Sequence, residues 1–124
     1  MNVIGLGVDV VDVARIERML DRDDGFVERV FSEEEIAFCT AAARPAECFA
    51  ARWAAREACA KALGGIQGMR WKEVRVERAP TGAPRLALDG RSRARMEALG
   101  VSEVLVALTH ERKMAAAFCV AVRA

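Results

Sequence analysis

The chain has 124 residues, of which 53% are hydrophobic and 30% charged, and its formal net charge is +1. This composition is typical of a globular protein, and we expect one domain over residues 1–124. The near-neutral charge gives no bulk attraction for nucleic acid, and no apolar run approaches the roughly 18 residues that indicate a membrane span.

The cysteines have no Cys-x-x-Cys spacing, which argues against a zinc site. The first residues lack a basic stretch followed by a long apolar run and a small-residue cleavage site, so nothing predicts secretion. We therefore expect a cytoplasmic protein with reduced thiols. The cysteines are Cys39, Cys48, Cys59 and Cys119.

The first half of the chain predicts one strand and three helices. Residues 3–11 are rich in Val and Ile, which favours a buried strand, and Asp12 can cap a helix that runs to about residue 20. The run Ser-Glu-Glu-Glu has the spacing of a capping box and predicts a short helix over 32–39. A long helix is expected over 46–63, because two glycines follow it.

The long helix is apolar on two sides, which predicts a central position in the fold. Its charged residues should then find partners rather than bulk water. They are Arg52, Arg56, Glu57 and Lys61.

The second half predicts a hairpin of strands 71–78 and 85–88, a short helix over 92–99, and two apolar strands over 104–108 and 114–122. Such an order fits an α+β domain better than alternating parallel units. We expect a largely antiparallel sheet packed on the long central helix.

Gly5 and Gly7 lie within the first predicted strand, and the third glycine of a dinucleotide-binding loop is missing. We interpret them as positions where another part of the backbone approaches closely.

Asp9 and Glu57 each put a carboxylate into an apolar setting, which suggests a shared metal ion, because a buried charge is costly without a partner. A simpler alternative is a helical ion pair between Glu57 and Lys61, worth about 0.2–0.5 kcal/mol. The apolar surroundings favour the first hypothesis. Two carboxylates and a lysine would suit phosphate chemistry.

His110 is the only histidine, which excludes a site with several histidine ligands. Arg15, Arg18 and Arg22 lie at neighbouring positions of the first helix. From spacing alone we favour a solvated face for them, and a docking surface for an acidic partner is the alternative.

The chain resembles a known family, the short single-domain phosphopantetheinyl transferases called holo-acyl-carrier-protein synthases. The resemblance rests on three segments, 7–16, 31–35 and 52–64, and is weaker at 82–84 and 108–110. It runs nearly end to end.

This resemblance implies transfer of phosphopantetheine from coenzyme A to a serine of apo acyl carrier protein, with magnesium bound by Asp9 and Glu57. These two residues and Lys61 would be catalytic, and the base would be Glu57 or a metal-bound water. The resemblance also implies a homotrimer with active sites at subunit interfaces. The coenzyme A site would include Arg52, Lys61, Gly64, Thr109 and His110.

The resemblance further implies that the first helix binds the carrier protein. Arg15 matches an arginine of the family on this helix, and we add Arg18 and Arg22 because of their charge and spacing. The chain departs from the family pattern at Arg56, where lysine is usual, at Trp53 and at Gly65. The geometry of any contact made by that lysine is therefore in doubt.

Two alternatives stay open. One is a noncatalytic module of the same fold that binds coenzyme A or a carrier protein, although Asp9, Glu57 and Lys61 together argue against it. The other is a small nucleic-acid-binding domain, which the near-neutral charge and the absence of tyrosine disfavour.

Overall fold

The computed structural model describes residues 1–124. The first strand, β1 (Asn2–Asp12), leads directly into α1 (Val13–Arg22). Two short helices follow, α2 (Phe26–Val30) and α3 (Glu33–Thr40), and then the long helix α4 (Pro45–Ala62). The strand and the long helix lie close to their predicted bounds.

The second half begins with one 3-10 turn, Trp71–Glu73. The remaining elements, in chain order, are β2 (Val74–Arg78), β3 (Pro84–Leu88), α5 (Gly90–Ala98), β4 (Glu103–His110) and β5 (Met114–Arg123). No helix is both long and apolar enough to cross a membrane.

The strands form two antiparallel sheets. One has the order β1-β5-β4, and the other is the hairpin of β2 and β3. Helix α4 packs across β1 and β5 on one face of the larger sheet. The predicted α+β architecture, with an antiparallel sheet on a long central helix, is confirmed.

Glycines in β1 allow α4 to approach the sheet closely. A Cβ atom at Gly5 would overlap the carbonyl oxygen of Ala62, and one at Gly7 would overlap that of Ala58. Any larger residue would push the helix away from the strand. The interpretation of these glycines as points of close backbone approach is confirmed, and the approach brings the residues after Gly7 next to the last turns of α4.

Arg56 forms a buried hub between α3, α4 and the hairpin. Its guanidinium donates to both carboxylate oxygens of Glu35, at 2.9 Å and 2.5 Å, and to the carbonyl oxygen of Trp71 at 2.8 Å. Glu35 also accepts from the backbone N–H groups of Ser32 and Val76. Arg56, which stands where the family usually has lysine, is thus fully paired inside the protein.

Burial alone would raise the pKa of Glu35, but the hydrogen bonds and charge of Arg56 outweigh it, and the carboxyl has a pKa below its usual value. Glu35 also closes the predicted capping box, because its carboxylate accepts from the Ser32 N–H while the Ser32 hydroxyl accepts from the Glu35 N–H. One carboxylate therefore both caps α3 and fixes α4.

Three local predictions were wrong. Helix α2 was missed, residues 71–73 form a 3-10 turn rather than the start of a strand, and α5 begins at Gly90 rather than at Ser92. Ser92 is buried inside the helix, and Glu73 accepts its N–H and its hydroxyl at 3.1 Å. The start of α5 is thus fixed by a residue from another element.

The expectation of four reduced thiols was also wrong. Cys39 and Cys48 form a disulfide that joins α3 to α4, whereas Cys59 and Cys119 are free and buried. The pairing arises because the packing of α3 on α4 brings the two Cα atoms to 5.3 Å.

Candidate active site

The contact between β1 and α4 brings Asp9, Glu57 and Lys61 together. The Lys61 Nζ donates to Oδ1 of Asp9 at 3.2 Å and to the carbonyl oxygen of Val8 at 3.0 Å. Glu57 lies one helical turn before Lys61 and is half-buried. Three charged side chains from two separate motifs therefore share one site.

Like charges meet at this site. Burial raises the pKa of Glu57, the Asp9 carboxylate raises it further, and Lys61 and Arg15 only partly oppose the effect. The single positive charge of Lys61 does not cancel the repulsion between the two carboxylates. The site is thus set up to favour additional positive charge.

The donor set fits a hard divalent cation with few protein ligands. No three His, Cys, Asp or Glu side chains lie together anywhere in the chain in a way that could hold a metal ion, so Asp9 and Glu57 would be the whole protein contribution. Mg²⁺ is commonly held by one or two carboxylates, with waters and substrate phosphates completing its shell. The two side chains therefore suit a magnesium ion whose remaining ligands are waters or phosphate oxygens.

Helix α1 presents three exposed arginines, of which Arg15 lies near this site. Val13 and Ile16 are buried against the core, while Arg15, Arg18 and Arg22 are exposed. Arg15 is close enough to Glu57 for its charge to lower the pKa of that carboxyl in part.

An open apolar groove lies next to this helix face. It was not predicted, although its aromatic residues are visible in the sequence, because they come from separate elements. The groove is lined by Met19, Phe26, Val30, Trp53 and Trp71, with Arg29, Arg70 and Lys72 also contributing.

Arg52 lies on another side of α4 from Lys61, because nine residues at about 100° per residue correspond to half a turn. Its guanidinium stacks on the Phe38 ring at 4.7 Å, and its Nη1 donates to Sγ of Cys48 at 3.2 Å. Its Nε is buried without a partner. Burial also lowers the pKa of Arg52.

Arg52 borders a cavity of about 550 Å³ that we call the arginine cavity. The Arg78 guanidinium also stacks on the Phe38 ring, at 4.5 Å from its centre. The cavity can thus offer cationic donors and an aromatic surface. Its lining consists of Ser32, Glu34, Glu35, Phe38, Arg52, Arg75, Val76, Glu77 and Arg78.

His110 lies at the end of β4, where its Nδ1 is 2.9 Å from Oε1 of Glu47. The hydrogen bond with His110 holds the pKa of Glu47 below its usual value. Thr109 is exposed and, as the neighbouring strand residue, points to the opposite face of the sheet. Within one chain these two residues do not line one pocket.

Gly64 follows α4 with φ +88°, a left-handed conformation that favours glycine. Beside it, the Arg95 guanidinium donates to the carbonyl oxygen of Leu63 at 3.0 Å. The structure therefore divides the expected coenzyme residues. Lys61 and Gly64 belong to the end of α4 near Asp9, while Arg52, Thr109 and His110 lie elsewhere on the chain.

Comparisons with known proteins show which family the chain resembles. Residues 5–119 match the family model of the 4′-phosphopantetheinyl transferase superfamily. A holo-[acyl-carrier-protein] synthase from Anaeromyxobacter sp. (strain K) is 47% identical over 119 residues, which cover 93% of this chain and 92% of the relative.

Solved structures have the same fold. The crystal structure of holo-[acyl-carrier-protein] synthase from Neisseria meningitidis has a TM-score of 0.89 at 30% identity, covering 98% of this chain and 100% of that chain. The Helicobacter pylori synthase in complex with coenzyme A has a TM-score of 0.82 at 29% identity, covering 94% and 99%.

Proposed function

The chain belongs to the 4′-phosphopantetheinyl transferase superfamily, and we propose that it is a holo-[acyl-carrier-protein] synthase. It transfers phosphopantetheine from coenzyme A to a serine of an apo acyl carrier protein and releases adenosine 3′,5′-bisphosphate. The observation that carries this function is the meeting of Asp9, Glu57 and Lys61 where β1 contacts α4. The fold is that of relatives bearing this name.

We further propose that Asp9 and Glu57 hold Mg²⁺. When bound, the ion supplies positive charge to the pyrophosphate oxygens and polarises the phosphorus that is attacked. The support is the chemistry of two adjacent carboxylates, one of which keeps a raised pKa beside the other.

In the reaction, the carrier serine oxygen forms a bond to the phosphorus on the pantetheine side, and the bond from that phosphorus to the bridging oxygen breaks. Negative charge then builds on the bridging oxygen. Lys61 donates to Asp9 and to the Val8 carbonyl oxygen, and its side chain is still 54% exposed. Its ammonium group can therefore approach the bridging oxygen and stabilise the negative charge there. Electrostatic stabilisation of this kind is usually the largest catalytic contribution.

The serine proton needs an acceptor. Lys61 bonds Asp9 and not Glu57, so Glu57 retains oxygen lone pairs that no ammonium occupies. We propose Glu57 as the residue that receives this proton, through a carboxylate oxygen that does not hold the ion.

The arginine cavity suits the nucleotide end of coenzyme A. The unpartnered Nε of Arg52 can donate to a phosphate oxygen, and the Phe38 ring can contact an adenine. Because Arg52 and Lys61 lie half a turn apart on α4, we propose that the two ends of one coenzyme molecule contact two subunits. Thr109 and His110 would contribute to the same site from the neighbouring subunit.

A homotrimer is consistent with the free face of the larger sheet. α4 covers one face, whereas Leu6, Val8, Val10 and Phe118 remain 60%, 53%, 56% and 45% exposed on the other. A contiguous apolar surface of this kind is typical of a protein interface. We propose that copies of this chain cover it, and the family resemblance implies three of them.

The carrier protein would dock on α1. Arg15, Arg18 and Arg22 offer positive charge to an acidic helix, and the apolar groove around Trp53 and Trp71 continues the same surface. We still predict a cytoplasmic location and a single domain over residues 1–124. We also predict that the carrier protein serves fatty-acid or polyketide synthesis.

Intact mass spectrometry tests the function. The purified protein is incubated with apo acyl carrier protein, coenzyme A and MgCl₂, and a second sample contains a chelator. We expect the carrier to gain one phosphopantetheine, and the gain to disappear with chelator. A folded protein that binds coenzyme A but modifies none of several apo carriers would instead support the noncatalytic binding module.

A further inference from the structure

We propose that Cys39 and Cys48 form a reversible disulfide that controls how tightly the arginine cavity binds nucleotide. The proposal rests on the proposed function through its assignment of Arg52. Cys39 lies in the last turn of α3 and Cys48 in the first turns of α4, and the two are bonded with their Cα atoms 5.3 Å apart.

Cys48 has the surroundings of a reactive thiol. Its Sγ lies 3.2 Å from the Arg52 guanidinium, and its place near the N-terminus of α4 adds further positive potential. Cys39 is fully buried and is suited to be the second, resolving thiol. By contrast, burial raises the pKa of Cys59 to about 12 and raises that of Cys119 as well, which leaves both unreactive.

A small-molecule disulfide such as glutathione disulfide can oxidise the pair. The Cys48 thiolate attacks one glutathione sulfur and expels a glutathione thiolate, which gives a mixed disulfide. The Cys39 thiolate then attacks Sγ of Cys48 and expels the second glutathione. The two protein thiols lose two electrons and two protons, and glutathione disulfide is reduced to two glutathione molecules.

Access comes from the turn between the helices. Residues 40, 41, 43 and 44 are exposed, and no side chain caps the start of α4 at Arg44. An uncapped helix end opens locally at low cost. Cys48, already 7% exposed, is therefore reached before Cys39.

The bond acts on the arginine cavity because Phe38 precedes Cys39 and Arg52 lies one turn after Cys48. The crosslink fixes Phe38, which is on α3, against the guanidinium of Arg52 on α4. Reduction removes this restraint, and the freed Cys48 sulfur becomes a stronger hydrogen-bond acceptor that competes with phosphate for Arg52. Both effects weaken nucleotide binding.

The test uses adenosine 3′,5′-bisphosphate as the probe and isothermal titration calorimetry as the readout. The wild-type protein is measured after equilibration with glutathione disulfide and after reduction with a phosphine. Alkylation followed by intact mass determination counts the thiols in each sample. We expect two free thiols and a Kd roughly threefold to tenfold lower in the oxidised sample, since each ordered side chain contributes on this scale.

Two variants serve as matched controls. Cys39→Ser cannot form the bond and should bind the probe equally under both treatments, with the affinity of the reduced wild type. Cys59→Ala removes a cysteine outside the pair and should keep the difference. The oxidised wild type should also unfold roughly 5–10 °C above the reduced form, and Cys39→Ser should show no such shift.

Equal affinities in verified oxidised and reduced wild-type samples would overturn the proposal. So would four alkylated thiols after prolonged oxidation of a folded protein. If neither sample binds adenosine 3′,5′-bisphosphate although the thiol counts differ, the nucleotide site in the proposed function is wrong, and control of that site is wrong with it.

Discussion

Oδ1 of Asp9 lies 3.2 Å from Nζ of Lys61, which joins the first strand to the last turn of α4. The pair shows that the lysine is held at the carboxylate site before any substrate binds. We therefore expect catalysis to depend on Asp9 in two ways, because the side chain contacts Lys61 and would also supply an oxygen donor to the ion.

Replacing Asp9 with alanine should lower phosphopantetheine transfer by at least about 100-fold, since the cation site and the partner of Lys61 are lost together. Transfer is measured by the mass of the carrier protein over a range of MgCl₂ concentrations. The control is Glu97→Gln, which removes an exposed carboxylate of α5 paired only with Arg93. Full activity of Asp9→Ala would rule out the metal-ligand assignment.

Glu57→Gln should abolish transfer and yet stabilise the fold at pH 7. The folded state raises the pKa of Glu57, so it binds the proton more tightly than the unfolded chain does. Stability therefore falls as pH rises from the ordinary value of 4.5 through the raised pKa, and the variant avoids this loss. The gain should be below about 1 kcal/mol, because the side chain is only half-buried.

Urea unfolding at pH 7 and below pH 4 measures the effect. We expect the difference between wild type and Glu57→Gln to shrink at the lower pH, where both side chains are neutral. A variant that is less stable than wild type at pH 7 would contradict the electrostatic account of this site.

The buried pair of Arg56 and Glu35 predicts a second pH dependence with the opposite sign. The pKa of Glu35 is lowered, so the pair stabilises the fold above the ordinary pKa and loses this contribution as pH falls through the lowered one. Glu35→Gln should cost about 3–5 kcal/mol of unfolding free energy at pH 7, because Arg56 is left unpaired in the interior.

Arg56→Lys restores the residue that the family usually has and is the matched variant. It keeps the charge but loses the two-pronged contact and the bond to Trp71, and should cost less than Glu35→Gln. Guanidinium unfolding measures both. Equal stability of Glu35→Gln and wild type at pH 7 would mean that the pair is not formed as described.

Phe118→Glu should dissociate the proposed trimer, because it puts a charge into the exposed apolar face of the sheet. Sedimentation velocity should show a monomer, and transfer should fall even though Asp9 and Glu57 are untouched. Leu99→Glu replaces a similarly exposed apolar residue at the end of α5 and should leave the assembly unchanged. A wild-type protein that sediments as a monomer would contradict the assembly.

Arg18→Glu should raise the KM for the carrier protein about tenfold, because the exposed arginine would attract an acidic partner, and should leave the KM for coenzyme A unchanged, because the proposed coenzyme A site does not include Arg18. The dependence of the wild-type KM on salt should also weaken in the variant. Arg91→Glu, on exposed α5, is the charge-matched control. Equal carrier KM values for the three proteins would remove α1 from the docking surface.

Much of the fold could be predicted from the sequence because strong local signals coincide with tertiary packing. The two-sided apolar pattern and the glycines after Leu63 placed α4 within about one residue of its ends. Helix α2 was missed because it has five residues and begins after Gly25 at φ +89°, which leaves no full period and no capping side chain to recognise.

The candidate site was predicted in part for similar reasons. Asp9 belongs to the motif of the first strand, Glu57 and Lys61 lie one turn apart on the same side of α4, and the structure brings the three together. The bond of Cys39 to Cys48 depends instead on how two helices cross, which neither cysteine encodes locally. Arg52 lies on the opposite side of α4 from Lys61. This placement could have been predicted from the nine-residue spacing between them, but not from the family motif alone.

The pairing of β1 with β5 also bears on how the chain reaches this structure. Asn2 lies opposite Arg123, so the strand made early in synthesis has its partner more than 100 residues later. Until β5 emerges, β1 exposes apolar side chains and unpaired backbone groups, which is the condition that invites aggregation. The same strand carries Asp9, and a nascent chain therefore cannot acquire its carboxylate site gradually. Catalytic competence should arise together with global folding, in a slow step governed by a contact between distant parts of the sequence.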